Sequence, residues 1–222
     1  NEFISYIKAG MLANALTEKG SFEVKGSNLS TTHTPSQTIY YGVPGSGKSH
    51  TIDEITKNLS EEQKIRVVFH PEYTNADFVG QILPCLTSDG IEYRFKAGPF
   101  SRILKKAYQN PDKPHYLIIE EINRGNAAAI FWELFQLLDR LDEDETDSSN
   151  EKSYEKGWSS YSINNDNINK SIQEAYENFK SDSNFEPFIN KEIFDTYKLN
   201  IGIRLPPNLS IFATMNTSDQ NV

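Results

Sequence analysis

The chain has 222 residues, of which 37% are hydrophobic and 24% charged, a composition that is ordinary for a folded globular protein and argues against wholesale disorder. Its formal net charge of -9 disfavours sequence-independent binding to nucleic-acid backbones, because such binding needs clustered Lys and Arg residues. No apolar run approaches the roughly 18 residues of a membrane helix, and no leader segment is visible, so we expect a cytoplasmic protein without membrane contact. Cys85 is the only cysteine, and the four histidines show no ligand spacing with it, so neither an internal disulfide nor a structural zinc site is expected.

The first 30 residues are predicted to form a helical segment and a connector. Apolar residues recur at three-to-four spacing over residues 1–16, which indicates an amphipathic helix, and residues 25–36 are polar and rich in Ser and Thr. We assign residues 31–222 to one main domain. Because the chain starts at Asn1 and stops at Val222 directly after a motif, we expect it to be a piece of a longer protein.

Strand and helix patterns alternate from Thr38 onwards. Strands are predicted at 38–41, 65–69, 116–119 and 209–214, helices at 48–59, 75–86, 100–108 and 127–138, and a loop or hairpin at 87–97. This alternation predicts an α/β fold with a parallel sheet, and ligands beyond the carboxyl ends of its strands.

Residues 140–200 interrupt the alternation. Residues 141–150 hold five acids and no base, and the region is crowded with Ser, Asn and Asp. We predict an acidic, polar insertion with one helix at about 168–179. A solvated, mobile loop is the favoured interpretation, and a surface that docks a partner is the alternative.

The most specific motif is GVPGSGKS, which matches G-x-x-x-x-G-K-[ST] between a predicted strand and a predicted helix. Its residues, which we expect to bind nucleotide together with the following His50, are Gly42, Val43, Pro44, Gly45, Ser46, Gly47, Lys48 and Ser49. The glycines let backbone N–H groups turn towards phosphate oxygens, and the helix that follows adds the positive end of its dipole. Lys48 is expected to reach the terminal phosphates and Ser49 to ligate Mg²⁺, which an ordinary Gly-rich turn would not do.

Two carboxylates end the apolar strand at 116–119. Glu120 is positioned to hold Mg²⁺ through water, and Glu121 to orient or deprotonate the attacking water. Taken alone, such a pair can simply solvate the end of a strand. Coupled to the loop at Lys48, it predicts the catalytic part of a nucleoside-triphosphate site.

The last predicted strand ends on Asn216. An amide at this point can hydrogen-bond the γ-phosphate or the lytic water. The alternative is a turn residue, since Asn favours turns. Only the other two motifs make a catalytic role for Asn216 the better interpretation.

Together these motifs resemble the AAA+ family of P-loop NTPases, most closely its McrB-type branch, the motor subunit of modification-dependent restriction systems. The most specific elements are E-I-N-R at 121–124 and M-N-T-x-D at 215–219, and the segment at 70–80 is also similar. The resemblance covers about 38–129 and 205–222. It covers neither the first 30 residues nor the insertion.

The resemblance implies a three-layer sandwich around a parallel sheet. It also implies a homo-oligomeric, usually hexameric ring with nucleotide between subunits, an McrC-type nuclease partner, and DNA contacted by parts outside this fragment. GTP is favoured by the McrB-type branch and ATP by the wider superfamily. Lys48 and Ser49 are implied to bind phosphate and Mg²⁺, Glu121 to activate water and Asn216 to act as the first sensor. Asp219 is implied to help couple the site to a neighbouring or partner subunit.

The sequence departs from the family pattern at two places. Glu120 takes a position where the family usually has Asp, so we expect metal binding with altered geometry. The chain stops at Val222, before the arginine finger and the α-helical lid of the family, so we expect nucleotide binding with slow hydrolysis. Arg124 is assigned to a subunit interface or, equally, to a solvated helix entrance.

Two other functions remain open at this point. One is an ATP-dependent protein remodeller of the MoxR or dynein-related kind, which nucleotide preference would distinguish. The other is a nucleotide-gated binding module with vestigial hydrolysis, in which replacing Glu121 would change neither turnover nor assembly.

Overall fold

A parallel β-sheet organises the residues that the computed structural model describes, which are 34–147, 152–179 and 202–217. The strands in these ranges are β1 (Gln37–Gly42), β2 (Lys64–Val68), β3 (Gly80–Thr87), β4 (Gly90–Ala97), β5 (His115–Glu120), β6 (Glu145–Asp147), β7 (Lys152–Tyr154) and β8 (Leu209–Asn216). The α-helices are α1 (Lys48–Thr56), α2 (Asn75–Val79), α3 (Pro99–Gln109), α4 (Ala127–Phe131) and α5 (Asp166–Phe179). Within these ranges no helix is long and apolar enough to cross a membrane.

The central sheet has the order β1-β8-β5-β2, and every neighbouring pair in it is parallel. Strands of this kind are covered on both faces, which is why β5 reads as a continuous apolar run. The predicted α/β fold with a parallel sheet is therefore confirmed. The N-terminal helix predicted at 1–16 lies outside the described residues.

Alternate residues of the strands face opposite layers of helices. On one face, Ile118 and Phe212 pack with Ile52 of α1, and Tyr40 and Tyr116 lie against this cluster. Burial raises the pKa of both of these phenols, which keeps them neutral beneath α1. The other face carries the larger core, to which α2, α3, α4 and α5 contribute. The result is three layers, with the sheet in the middle.

The helix predicted at 75–86 is wrong beyond Val79, where α2 ends. From Gly80 the chain forms the antiparallel hairpin of β3 and β4, which turns at Ser88 and Asp89. Gly80 has φ 131° and faces the ring of Phe95 so closely that a Cβ would lie 2.5 Å from it. Only glycine tolerates this backbone and this contact, so the helix ends there.

The helix predicted at 127–138 is also interrupted. It ends at Phe131, because Trp132 has φ 43°, and the chain continues as a 3-10 helix from Trp132 to Leu138. A bulky residue with positive φ is a genuine outlier. The side chain of Trp132 is 73% exposed, so burial of the indole does not compensate for this backbone.

The predicted insertion is only partly a solvated loop. Its acidic residues at 142–145 are exposed, and α5 includes the predicted helix at 168–179. Several apolar side chains of the same region are buried in the main core, however, namely Tyr154, Trp158, Ile163, Ile168 and Ile172. The guanidinium of Arg204 lies over the Tyr154 ring, 4.1 Å from its centroid. The interpretation of this region as a solvated loop is therefore wrong for its buried part.

Arg140 ties this region to the central sheet. Its Nη1 donates to the carbonyls of Gly157, Leu205 and Pro206, each at 3.0 Å, and its Nη2 donates to Leu209 O at 2.7 Å. Desolvation lowers the pKa of the Arg140 guanidinium to about 9, so the side chain is still charged at neutral pH. One cation therefore satisfies four carbonyls from two separate stretches of chain, at residue 157 and at residues 205–209.

We expect Arg140→Met to lower the free energy of unfolding by about 3 kcal/mol, because the carbonyls around the guanidinium lose their donor. Urea denaturation followed by circular dichroism measures this change. Arg94→Met is the matched control, since Arg94 pairs with Glu92 on the exposed face of the β3–β4 hairpin. Its effect should stay within about 0.5 kcal/mol. Equal effects of the two substitutions would contradict the role of Arg140.

Candidate nucleotide-binding site

The loop between β1 and α1 is shaped by two left-handed glycines. Gly45 has φ 78° and Gly47 has φ 84°, a conformation that side chains rarely adopt. The turn is closed by the Ser46 N–H, which donates to Val43 O at 3.2 Å. Residues 43–47 are exposed, and Gly47 is the N-cap of α1. The loop therefore presents backbone N–H groups and a helix N-terminus to solvent, an arrangement suited to an anion.

Lys48 points across the loop towards the end of β8. Its Nζ donates to Val43 O at 2.9 Å, to Gly42 O at 3.1 Å and to Asn216 Oδ1 at 2.7 Å. The sequence predicted that Lys48 and Asn216 belong to one site. The structure brings them into direct contact across 168 positions of sequence.

The Glu120 carboxylate is shared between three elements of the fold. Its Oε2 accepts hydrogen bonds from the Ser49 hydroxyl, at 3.1 Å, and from the Thr214 hydroxyl. Its Oε1 accepts from Nη1 of Arg66 at 2.6 Å. The side chain of Glu120 is only 12% exposed, so these partners largely replace water around it.

Glu121 is held in the left-handed region, with φ 55° and ψ 44°. Its N–H donates to Thr214 Oγ1 at 3.1 Å, and its Oε1 accepts from Nδ2 of Asn216. Nε of Arg124 lies 3.3 Å from its Oε2, close enough for an ion pair. A non-glycine residue in this conformation costs free energy, and such strain tends to be found at functional sites.

Thr214 and Arg66 were not among the residues that the sequence predicted for the site, and Asn123 was included only as part of the E-I-N-R element. Thr214 bonds both Glu120 and the Glu121 backbone, and Asn123 Nδ2 donates to Asn216 O at 3.2 Å. Arg66 also belongs to the site, and its signal was a charge between two apolar residues of β2, Ile65 and Val67. For Thr214 the signal was its position two residues before Asn216, which places both side chains on one face of β8.

The remaining predicted residues lie around this network. Val43, Pro44 and Ser46 are exposed on the loop, and His50 is exposed in the first turn of α1. Asp219 lies outside the described residues.

Ser49 and Glu120 supply the oxygen atoms that suit a magnesium ion. Mg²⁺ is usually held by one or two protein oxygens, with the rest of its shell from water and substrate phosphates. Within the described part of the chain no group of three or more His, Cys, Asp or Glu side chains is arranged to hold a metal. One hydroxyl and one carboxylate therefore suit a Mg²⁺ ion that is also coordinated by nucleotide phosphates. They are too few to hold a Mg²⁺ ion by protein ligands alone.

The comparison with known families agrees with this geometry. The family model for the AAA domain of the dynein-related subfamily matches residues 37–222. The chain belongs to this family. This is a family of P-loop ATPases, and the predicted P-loop NTPase fold is therefore confirmed.

Two curated proteins are similar to this AAA domain. The YdiS component of the type II restriction enzyme BsuMI of Bacillus subtilis (strain 168) is 32% identical over 213 residues, which are 85% of this chain and 52% of that protein. The EcoKMcrB subunit of the type IV methyl-directed restriction enzyme of Escherichia coli (strain K12) is 32% identical over 105 residues, which are 46% of this chain and 22% of that protein. These matches confirm the resemblance to the McrB-type branch, and the chain spans about half the length of the Bacillus relative.

A solved structure of a candidate ATPase from Cytophaga hutchinsonii is also similar, with 15% identity and a TM-score of 0.37 over 86% of this chain and 36% of that one. The fold assignment rests on the family match and on the parallel sheet itself.

We expect Thr214→Val to destabilise the AAA domain by about 1–3 kcal/mol, because the substitution leaves the Glu121 N–H without its acceptor. Urea denaturation measures the loss. Thr87→Val is the matched control, since the Thr87 hydroxyl donates to Gly90 O at the exposed end of the hairpin. If both variants unfold at the same urea concentration, Thr214 does not support the backbone of Glu121.

Proposed function

We propose that this AAA domain binds and hydrolyses a nucleoside triphosphate with Mg²⁺, as the motor of a McrBC-like DNA restriction system. The observation that carries the proposal is one hydrogen-bonded network at the carboxyl edge of the sheet. Its six members come from the start of α1, from the end of β5 with the residue that follows it, and from β8: they are Lys48, Ser49, Glu120, Glu121, Thr214 and Asn216.

The phosphate loop supplies the binding step. Gly45 and Gly47 leave room for phosphate oxygens at the N-terminus of α1, where the helix dipole favours negative charge. We assign the Lys48 ammonium to the terminal phosphates. Its present acceptors are two loop carbonyls, the Ser46 hydroxyl and one amide oxygen, neutral groups that a phosphate oxygen outcompetes for a cation.

Ser49 and Glu120 are the residues that would hold Mg²⁺. When bound there, the ion would neutralise the negative charge that develops on the phosphate oxygens. The extra methylene of Glu120 does not prevent this role, since its Oε2 lies 3.1 Å from the Ser49 hydroxyl.

We assign Glu121 as the group that orients the attacking water and accepts its proton. Its carboxylate is held on one side by the Asn216 amide and on the other by Arg124, which fixes its position before substrate arrives. Asn216 also accepts from Lys48, so one amide links the base to the phosphate-binding cation. Such a link lets Asn216 report the presence of a terminal phosphate to Glu121.

The restriction role is supported by the two relatives, which are both components of restriction enzymes. The formal charge of -9 suits a motor whose DNA contacts are made by other domains or subunits. By the same resemblance we assign the domain to a ring of like subunits with an McrC-type nuclease partner. Titration with both nucleotides decides between GTP, which the McrB-type branch favours, and ATP, which the wider superfamily favours.

We expect calorimetric titration with non-hydrolysable ATP and GTP analogues to show Mg²⁺-dependent binding of at least one of them. Lys48→Ala should remove this binding, because it deletes the only cation that reaches from α1 across the loop among the described residues. Lys57→Ala is the matched control, since Lys57 follows the C-terminal end of α1, away from the loop, and pairs there with Glu54. Tight binding retained by Lys48→Ala would falsify the assignment of the phosphate loop.

We expect Glu121→Gln to lower nucleotide turnover by about 100-fold while Mg²⁺-dependent binding is kept, because the amide preserves the shape of the side chain but cannot accept a proton. Phosphate release at saturating nucleotide measures turnover, and the same calorimetric titration measures binding. A variant with unchanged turnover would show that hydrolysis does not use Glu121, and would favour a binding module.

A further inference from the structure

Arg66 is a charged residue in the middle of β2, beside the carboxylate that ends β5. In the register of the sheet, Arg66 pairs with Ile118 and Val68 with Glu120, so the Arg66 side chain lies on the face that α1 covers. Its Nη1 donates to Glu120 Oε1 at 2.6 Å, and its Nη2 pairs with Asp53 of α1. A single guanidinium thus joins the helix of the phosphate loop to the acidic end of β5.

The two oxygens of Glu120 are thereby divided between different partners. Oε1 is held by Arg66, whereas Oε2 accepts from Ser49 and Thr214. The two donors to Oε2, Ser49 and Thr214, both belong to the proposed nucleotide site. The orientation of the carboxylate is therefore set from the opposite side, by Arg66.

The length of Glu120 is what permits both contacts. An aspartate at this position would be shorter by one carbon–carbon bond, about 1.5 Å. With the present backbone, an aspartate could contact either Arg66 of β2 or Ser49 of α1, but it could not reach both. Arg66 and the unusual glutamate are thus two parts of one arrangement.

We propose that Arg66 is a positioning residue for metal binding, which acts with Glu120 as one unit and turns Oε2 towards the Ser49 hydroxyl. Asp53 holds the other arm of the guanidinium and so keeps Arg66 in place. The inference rests on the proposed function, because it names what fixes the carboxylate of that same site.

A surface ion pair of no consequence is the competing explanation, since exposed pairs contribute little. Two features argue against it. The side chains of Glu120 and Arg66 are 12% and 37% exposed, whereas those of Arg94 and Glu92 on the hairpin are 63% and 51% exposed. Partners that orient metal ligands also have large effects, commonly 10–100-fold in metal affinity.

A double-mutant cycle of Arg66→Met and Glu120→Asp tests the proposal. The measured quantity is the Mg²⁺ concentration that gives half-maximal binding of the tighter of the two non-hydrolysable analogues, ATP or GTP, by the full chain. Arg66→Met alone should raise it about tenfold. Glu120→Asp should raise it about tenfold when Arg66 is present, because Arg66 then holds the shorter carboxylate away from Ser49.

In the Arg66→Met background, Glu120→Asp should raise the half-saturating Mg²⁺ concentration by less than about threefold, since nothing then holds the aspartate back. Equal fold-changes of Glu120→Asp in the two backgrounds would overturn the proposal. Arg66→Lys should recover part of the loss, because it keeps the charge but not the fork that reaches Glu120 and Asp53 together.

Two further variants separate positioning from folding. Arg94→Met should leave the half-saturating Mg²⁺ concentration unchanged, and all variants should keep the far-ultraviolet circular dichroism of the wild type. Asp53→Asn leaves Glu120 and Arg66 unsubstituted, and should raise the half-saturating Mg²⁺ concentration about threefold by loosening the Arg66 guanidinium. An unchanged value in Asp53→Asn, or a changed one in Arg94→Met, counts against the proposal.

The wild-type titration distinguishes the two levels of inference. If the wild-type chain binds neither analogue with Mg²⁺, the proposed function fails and the role of Arg66 fails with it. If binding depends on Mg²⁺ but the cycle is additive, only the role of Arg66 fails.

Discussion

The parallel pairing of β8 with both β1 and β5 is the constraint on which the site depends. The register sets Gly42 opposite Asn216 on one side and Ile119 opposite Ala213 on the other. Because the carboxyl ends of parallel strands meet at one edge, the phosphate loop, the two carboxylates and the amide become neighbours. Any slip of β8 by one residue would turn Asn216 to the opposite face of the sheet.

The parts of the site that the sequence predicted are those in which local chemistry and strand position coincide. The glycines before Lys48 have one main physical use, and polar groups at the ends of apolar strands converge in any parallel sheet. The fold class followed from the same alternation. The sequence predicted which residues lie at this edge of the sheet. The structure shows which of them are in contact: Lys48 bonds Asn216, and Asn216 bonds Glu121.

The sequence predictions were wrong where contacts between residues distant in sequence force the backbone out of regular geometry. Gly80 ends α2 because the Phe95 ring occupies the space of a side chain, and that contact exists only once the hairpin has formed. The positive φ of Trp132 and of Glu121 left no compositional trace. In residues 140–200 the many acidic and polar residues obscure a sparse apolar pattern: Ile168 and Ile172, four residues apart, share one face of α5 and are buried in the main core.

The balance of charge bears on the proposed role of Mg²⁺ in this site. The network and its immediate partners contain three cations and three carboxylates, namely Lys48, Arg66, Arg124, Asp53, Glu120 and Glu121. Their formal charges cancel, so the side chains alone offer no excess of positive charge to a triphosphate. Loop N–H groups and the α1 dipole provide only partial charges. Under the proposed function, the strongest attraction for the triphosphate comes from an ion that arrives with the nucleotide, and the carboxylate beside Ser49 is the protein group that would hold that ion.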